Sequence, residues 1–204
     1  MVWKFNRDYS GPLKQFYFMK TYYYLMSASY YSILEIKANK PYDVIRSILG
    51  SRDGNEVLPA DTKFRIMQGK RATPMIFYHE SISIRFFSQK FIQFLSQFID
   101  MSDKCYPIEI EDFDETYYVI YNLRAYESFN CDEHLFGPEP VLFYDEGENK
   151  LPKVFGCKNA RLIAVDKEVR WAIERSEFAK HIKFVELYSY SAIEYEAWKK
   201  YWGK

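Results

Sequence analysis

The chain has 204 residues, 48% of them hydrophobic and 27% charged, with a formal net charge of zero. That length most simply makes one domain, and it buries a core without disulfide or metal staples. Aromatic residues reach 20%, with 19 Tyr, 17 Phe and 4 Trp, which excludes a disordered chain and favours pleated, half-buried sheet surface.

The N-terminal MVWKFNRDYSG has no apolar stretch of the kind a secretory signal needs. Of the three cysteines, Cys105, Cys131 and Cys157, none belongs to a CxxC, so reduced thiols and a cytoplasmic location are expected. No internal repeat, low-complexity segment or long linker stands out.

VWKF opens the chain as a short strand or arm, and Ser10-Gly11-Pro12 signals a turn. LKQFYFMK and TYYYLMSAS follow as extended segments. The stretch TYYYLMSASYYSILEI, residues 21–36, is too short and too rich in hydroxyls for a membrane helix, which needs about 20 apolar residues. As a strand it turns Tyr22, Tyr24 and Met26 to one side and Tyr23 and Leu25 to the other. It is expected to pack against a helix at 88–99.

Pro41 to Leu49 reads as a short helix with Val44, Ile45, Ile48 and Leu49 on its apolar face and Gly50 as its stop. TKFRIM, PMIFYHE and ISIRFF are strand-like. SQKFIQFLSQFI, 88–99, is a helix capped by Ser88, with Phe91, Ile92, Leu95, Phe98 and Ile99 in one stripe. YPIEIE and TYYVIYNLRAY form a hairpin around the turn DFDE. VLFYDEG and ARLIAV are further strands. Asp166 caps a helix, KEVRWAIERS, with Val169, Ala172, Ile173 and Ser176 inward. KFVELY is a strand, and SAIEYEAWKKYW a closing helix with Tyr195, Trp198 and Trp202 on one side. The fold class is therefore α+β: mostly antiparallel sheet with several short helices packed on it, in a single domain.

Charge is uneven along this series. Residues 101–150 hold three basic residues (Lys104, Arg124, Lys150) against thirteen acidic ones, a net of −10, whereas residues 1–100 carry +6 and residues 151–204 carry +4. The acidic turn Asp112, Asp114 and Glu115, with Glu109 and Glu111 before it, is the first candidate site. Three readings stand side by side: a solvated hairpin tip, a patch facing a basic partner, and a metal or general acid/base site. No EF-hand ladder is present. Cys131-x-x-His134 offers two zinc ligands, but His79, Cys105, Cys157 and His181 come singly, so no metal and no cofactor are expected. Aromatics among Lys and Arg in residues 1–100 could stack bases, yet the mild +6 and the neighbouring −10 disfavour phosphate, so nucleic acid is not an expected partner.

Two stretches carry a resemblance: FFSQKFIQFLSQFI with YPIEIEDFDETYYVIYNL and FNCDEHLF, and RLIAVDKEVRWAIERSEFAKHIKFVEL. Together they resemble immunity proteins of bacterial polymorphic-toxin and contact-dependent systems, of the type grouped as immunity families eleven and forty-three. Ser88, Tyr117, Tyr118, Asn122, Asp166, Val169, Ala172, Ile173, Glu174, Phe184 and Glu186 fit that pattern, within residues 74–188. The family's Asp-Trp-x-x-Ser is replaced by CDEHLF, and its Gly before the last strand by Lys180–His181. Residues 1–70 match only through a Tyr-rich strand, and residues 189–204 form the closing helix. The resemblance implies a non-enzymatic binder of a cognate toxin domain, such as one delivered by contact-dependent or type VI secretion systems. The acidic run then supplies the expected partner contacts: Glu109, Glu111, Asp112, Asp114, Glu115, Asp145, Glu146 and Glu148, with surface aromatics as anchors. The alternatives are a small metal-dependent enzyme using the acidic turn, and a single-stranded nucleic-acid binder. A homo-oligomer stays open.

Overall fold

The computed structural model describes residues 20–28, 33–50, 58–79, 81–126, 128–129, 141–144, 151–157 and 162–191. The predicted arm and the CDEH stretch lie outside these residues, as does residue 192 onward of the expected closing helix 189–204, whose first three residues instead end a strand, Ile182–Ser191.

The Tyr-rich stretch splits between two sheets. β1 (Lys20–Ser27) is one strand, and β2 (Glu35–Ala38) belongs elsewhere. The alternation expected for β1 holds: Tyr22 and Tyr24 enter one buried cluster with Met26 packed beside them, and Tyr23 and Leu25 enter another. Tyr22 to Leu25 are buried on both faces, because each face packs into a separate cluster, and only Met26 is half-buried.

After β2 come α1 (Tyr42–Gly50), β3 (Phe64–Gln68), β4 (Met75–Tyr78), β5 (Ser81–Ser88), α2 (Gln89–Leu95), β6 (Cys105–Ile108) and β7 (Tyr117–Ile120). The first sheet orders these strands β3-β2-β4-β5-β7-β6. It then closes on itself. The chain leaving β6 bends back to β3, where Phe64 N–H donates to the Glu109 carbonyl at 3.3 Å and Glu111 N–H to the Phe64 carbonyl at 2.8 Å. This makes a parallel bridge between Ile110 and Phe64. Phe64 and Phe86 meet edge-to-face at 5.5 Å within the closed sheet.

The rest of the chain supplies β8 (Ala125–Tyr126), β9 (Ser128–Phe129), β10 (Val141–Tyr144), β11 (Val154–Cys157), β12 (Leu162–Val165), α3 (Lys167–Glu174) and β13 (Ile182–Ser191). With β1 these form the second sheet, ordered β8-β11-β12-β1-β13-β10-β9. β8 and β9 are one residue apart in sequence but stand at opposite ends of that order, so this sheet also comes round on itself. Its interior holds Tyr22, Tyr24, Tyr126, Phe155, Cys157, Ala164 and Leu187. Phe155 takes the edges of both Tyr22 (5.2 Å) and Tyr126 (5.3 Å). Burying rings of this size, at about 25 cal/mol per Å², is the main stabilising term here.

The helices sit where their caps start them. Ser88 Oγ accepts from Phe91 N–H at 3.4 Å, and Asp166 Oδ1 accepts from Val169 N–H at 2.9 Å. α2 is shorter than its apolar stripe: Phe91, Ile92 and Leu95 are buried, while Phe98 and Ile99 continue as half-buried turns. α1 buries Ile45 but leaves Val44 exposed. The helix lying on β1 is α3, not α2. β1 is flanked by β12 and β13, the two strands that α3 connects, so α3 covers its outer face. Arg170 spans that contact, its guanidinium 4.2 Å from the Tyr23 ring and its Nε donating to Glu174 at 2.8 Å. Phe178, beyond α3, meets Phe91 and Phe94 edge-on at 5.1 and 5.3 Å. One buried cluster therefore runs through the first sheet, α2, α3 and the outer face of β1. The fold is α+β, with mostly antiparallel sheets and short helices on them, and the sheets ignore the sequence division near residue 70.

Candidate functional site

The expected hairpin forms, with β6 and β7 antiparallel and Ile108 opposite Tyr117. Residues 109–116 are the loop between these paired ends, a compact loop held by its own side chains. Ile110 is buried, and Phe113 is half-buried against the Tyr117 ring at 6.2 Å. At its far end the Thr116 carbonyl accepts from Gln89 N–H at 3.1 Å, tying the loop to the start of α2. Below it, Tyr117 donates its hydroxyl to the Thr73 carbonyl at 2.8 Å. Burial pushes the Tyr117 phenol up from its ordinary range, and the Glu115 charge adds to this.

The carboxylates stand outside this anchored frame. Glu109, Glu111, Asp112 and Asp114 are exposed and Glu115 is half-buried. Asp112 holds a positive φ of 56°, a conformation that Asp tolerates better than most residues and one that turns the loop tip. The tip is solvated, and backbone bonds to β3 and α2 fix it at the seam of the first sheet. None of the five carboxylates forms an ion pair among the described residues. Among those residues no three His, Cys, Asp or Glu side chains gather closely enough to hold a cation. The acidic turn is therefore a splayed anionic rim, unlike the convergent oxygen cage that a hard cation needs.

Asp145, Glu146 and Glu148, the other expected contacts, lie outside the described residues, as do Cys131 and His134. Cys157 is buried in β11. Cys105 is half-buried in β6, and burial pushes its thiol up to about 12, which makes it a poor nucleophile. His79 bonds to Glu35 at 2.9 Å. His181 is held below its usual range by burial, then by Arg71 and Lys180.

The expected partner anchors are surface aromatics. The tyrosines and phenylalanines of the described core are spent on the interior. The one exposed large aromatic among the described residues is Trp171 on α3, and Lys167 lies 4.6 Å over its ring. Beside the rim, β3 instead exposes Ile66 (37%) and Met67 (39%), two and three residues beyond the Phe64 that holds the loop. Sequence reasoning missed them because FRIM reads as a half-buried strand. No helix of the described residues is long and apolar enough to cross a membrane. No family model matches the chain, and neither a curated protein nor a solved structure matches it.

Proposed function

We propose that this chain is an immunity protein: it binds a cognate bacterial toxin domain and neutralises it by covering its working surface, with no catalysis of its own. The observation that carries this reading is the anchored acidic loop 109–116. Five carboxylates in eight positions stand on an anchored frame, and among the described residues no cation is paired to them. Clustered like charges of this kind repel one another, which favours a basic partner and speeds encounter with one. Toxins that act on nucleic acid or other anionic substrates need basic clefts, and a preordered anionic rim fits such a cleft. Ile66 and Met67 add apolar contact beside it. The family-like run over residues 74–188 supports the same reading.

The test is charge reversal, Asp112→Lys, Asp114→Lys and Glu115→Lys together, against a candidate toxin domain sought in the gene neighbouring this protein's own. At low ionic strength the triple variant is expected to bind at least about tenfold more weakly, the gap narrowing as salt rises. Titration calorimetry at two salt concentrations reads this out, and a survival assay reads out protection. Wild-type affinity and full protection from the variant would remove the acidic rim from the account.

A further inference from the structure

The two closed sheets share one plan. Going round the first, the order is β2, β4, β5, β7, β6, β3 and back to β2. Going round the second, it is β8/β9, β11, β12, β1, β13, β10 and back to β9. The direction of pairing agrees at every junction. β2 with β4 and β8 with β11 are parallel. β4 with β5 and β11 with β12 are antiparallel. So are β5 with β7 and β12 with β1, and likewise β7 with β6 and β1 with β13. The Ile110–Phe64 bridge that joins β6 to β3 is parallel, as is β13 with β10. β3 with β2 and β10 with β9 are antiparallel.

Residue positions agree too. β5 ends in Ser88 and β12 is followed by Asp166, each the N-cap of the next helix and each bonded to the N–H three residues on. Phe91 and Leu95 in α2 correspond to Val169 and Ile173 in α3, all buried. Tyr118 faces Phe87 and Tyr23 faces Val165, in both cases the residue before the cap. Tyr117 faces Ile108, and Tyr22 faces Leu187. The register therefore lays Thr21-Tyr22-Tyr23 directly on Thr116-Tyr117-Tyr118, the same tripeptide in the same slot of each closed sheet.

We infer that the chain is two copies of one unit in tandem, residues 20–108 and 117–191, and that each copy lends its first strand to the other's sheet. In chain order both units run TYY strand, closing strand, two strands, capped strand, helix, last strand. The first unit places its TYY strand, β1, between β12 and β13 of the second; the second places β7 between β5 and β6 of the first. The first sheet is also continuous in sequence from β2 to β7. Tracing it as an insertion, however, puts the TYY strand last in the inserted unit and first in the other, a circular permutation, whereas two tandem units keep one strand order in both. Asn122, at a φ of 47°, turns the chain where it leaves one sheet for the other. Among the described residues the units differ mainly by α1, which lies in the 25 residues between β2 and β3; the second unit has 11 residues between β9 and β10.

A covalent link between the units is then unnecessary for the fold. A protease site placed between Asp114 and Glu115, in the exposed loop, divides the folded chain into one unit each. The halves are expected to stay together as a one-to-one particle on gel filtration in native buffer, separating only in denaturant. Separation in native buffer, whether the halves are then folded or unfolded, overturns the inference. Cysteine pairs at Tyr23 with Val165 and at Phe87 with Tyr118 test each lent strand directly, with the single-cysteine variants as controls. After cleavage and oxidation each pair is expected to join the halves into one band without reductant and two bands with it. If the insertion itself impairs folding, co-production of residues 1–114 and 115–204 as separate chains replaces it. Co-purification of the two in equal amounts supports the exchange, and failure to co-purify overturns it.

Discussion

Gly69 follows β3 at a φ of 84°, and a Cβ built there would stand 2.0 Å from the Ile33 carbonyl oxygen. Two costs coincide in Gly69→Ala: the left-handed backbone strains an L side chain, and the clash is with backbone, which cannot rotate away. The loss is expected to be about 3 kcal/mol or more, read as a fall in the urea midpoint at constant slope. A midpoint within error of wild type would mean that this close approach does not exist. His181 gives a second test at the same scale. Burial, Arg71 and Lys180 hold its folded pKa below the unfolded value of about 6.5, with Glu177 opposing. Between the two values the unfolded chain binds the proton more readily, so stability falls as pH drops from about 7 through that window and levels off below the folded pKa. His181→Gln is expected to flatten this part of the stability–pH curve; an unchanged slope would assign it to other groups.

The elements were the most legible part of the sequence, and their caps explain why. Ser88 and Asp166 each precede an apolar helical period, and each bonds to the N–H three residues on, as the sequence implies. Their worth is unequal. The Asp166 bond is 2.9 Å and charged, while the Ser88 bond is 3.4 Å and neutral. Asp166→Ala is expected to cost about 1–2 kcal/mol and Ser88→Ala about 0.5–1 kcal/mol, measured by chemical denaturation. Equal losses would mean that the buried Ser88 hydroxyl does more than cap. Beyond the β6–β7 hairpin, strand partners were not legible, for a physical reason. β1 alternates like any strand, and both its faces are buried, so nothing in TYYYLM says that its neighbours lie some 140–170 residues away. The acidic loop was legible as charge only. Its attachment depends on Ile110 meeting Phe64, a pairing between residues that share no local signal.

At the scale of the molecule the repeat was present in the sequence but disguised. TYY recurs after 95 residues and the helix caps after 78, so no fixed period shows. Core positions also traded volume. Where one sheet pairs Ile76 with Phe86, the other pairs Phe155 with Ala164, preserving a filled interior without preserving residue identity. The shared core has a thermodynamic consequence. Leu25 and Tyr23 on the outer face of β1 belong to the same buried cluster as Phe64, Phe86 and Tyr117 in the first sheet and Val169 and Ile173 in α3. Neither sheet can lose its structure without exposing that cluster, so the protein is expected to unfold in one cooperative transition with equal calorimetric and van't Hoff enthalpies. Leu25→Ala sharpens the test, because Leu25 is fully buried within that shared cluster. Its loss of about 2–5 kcal/mol should move the entire transition to lower temperature without splitting it. A variant that melts in two steps, the second at the wild-type temperature, would show two independently stable sheets and would count against a core held in common.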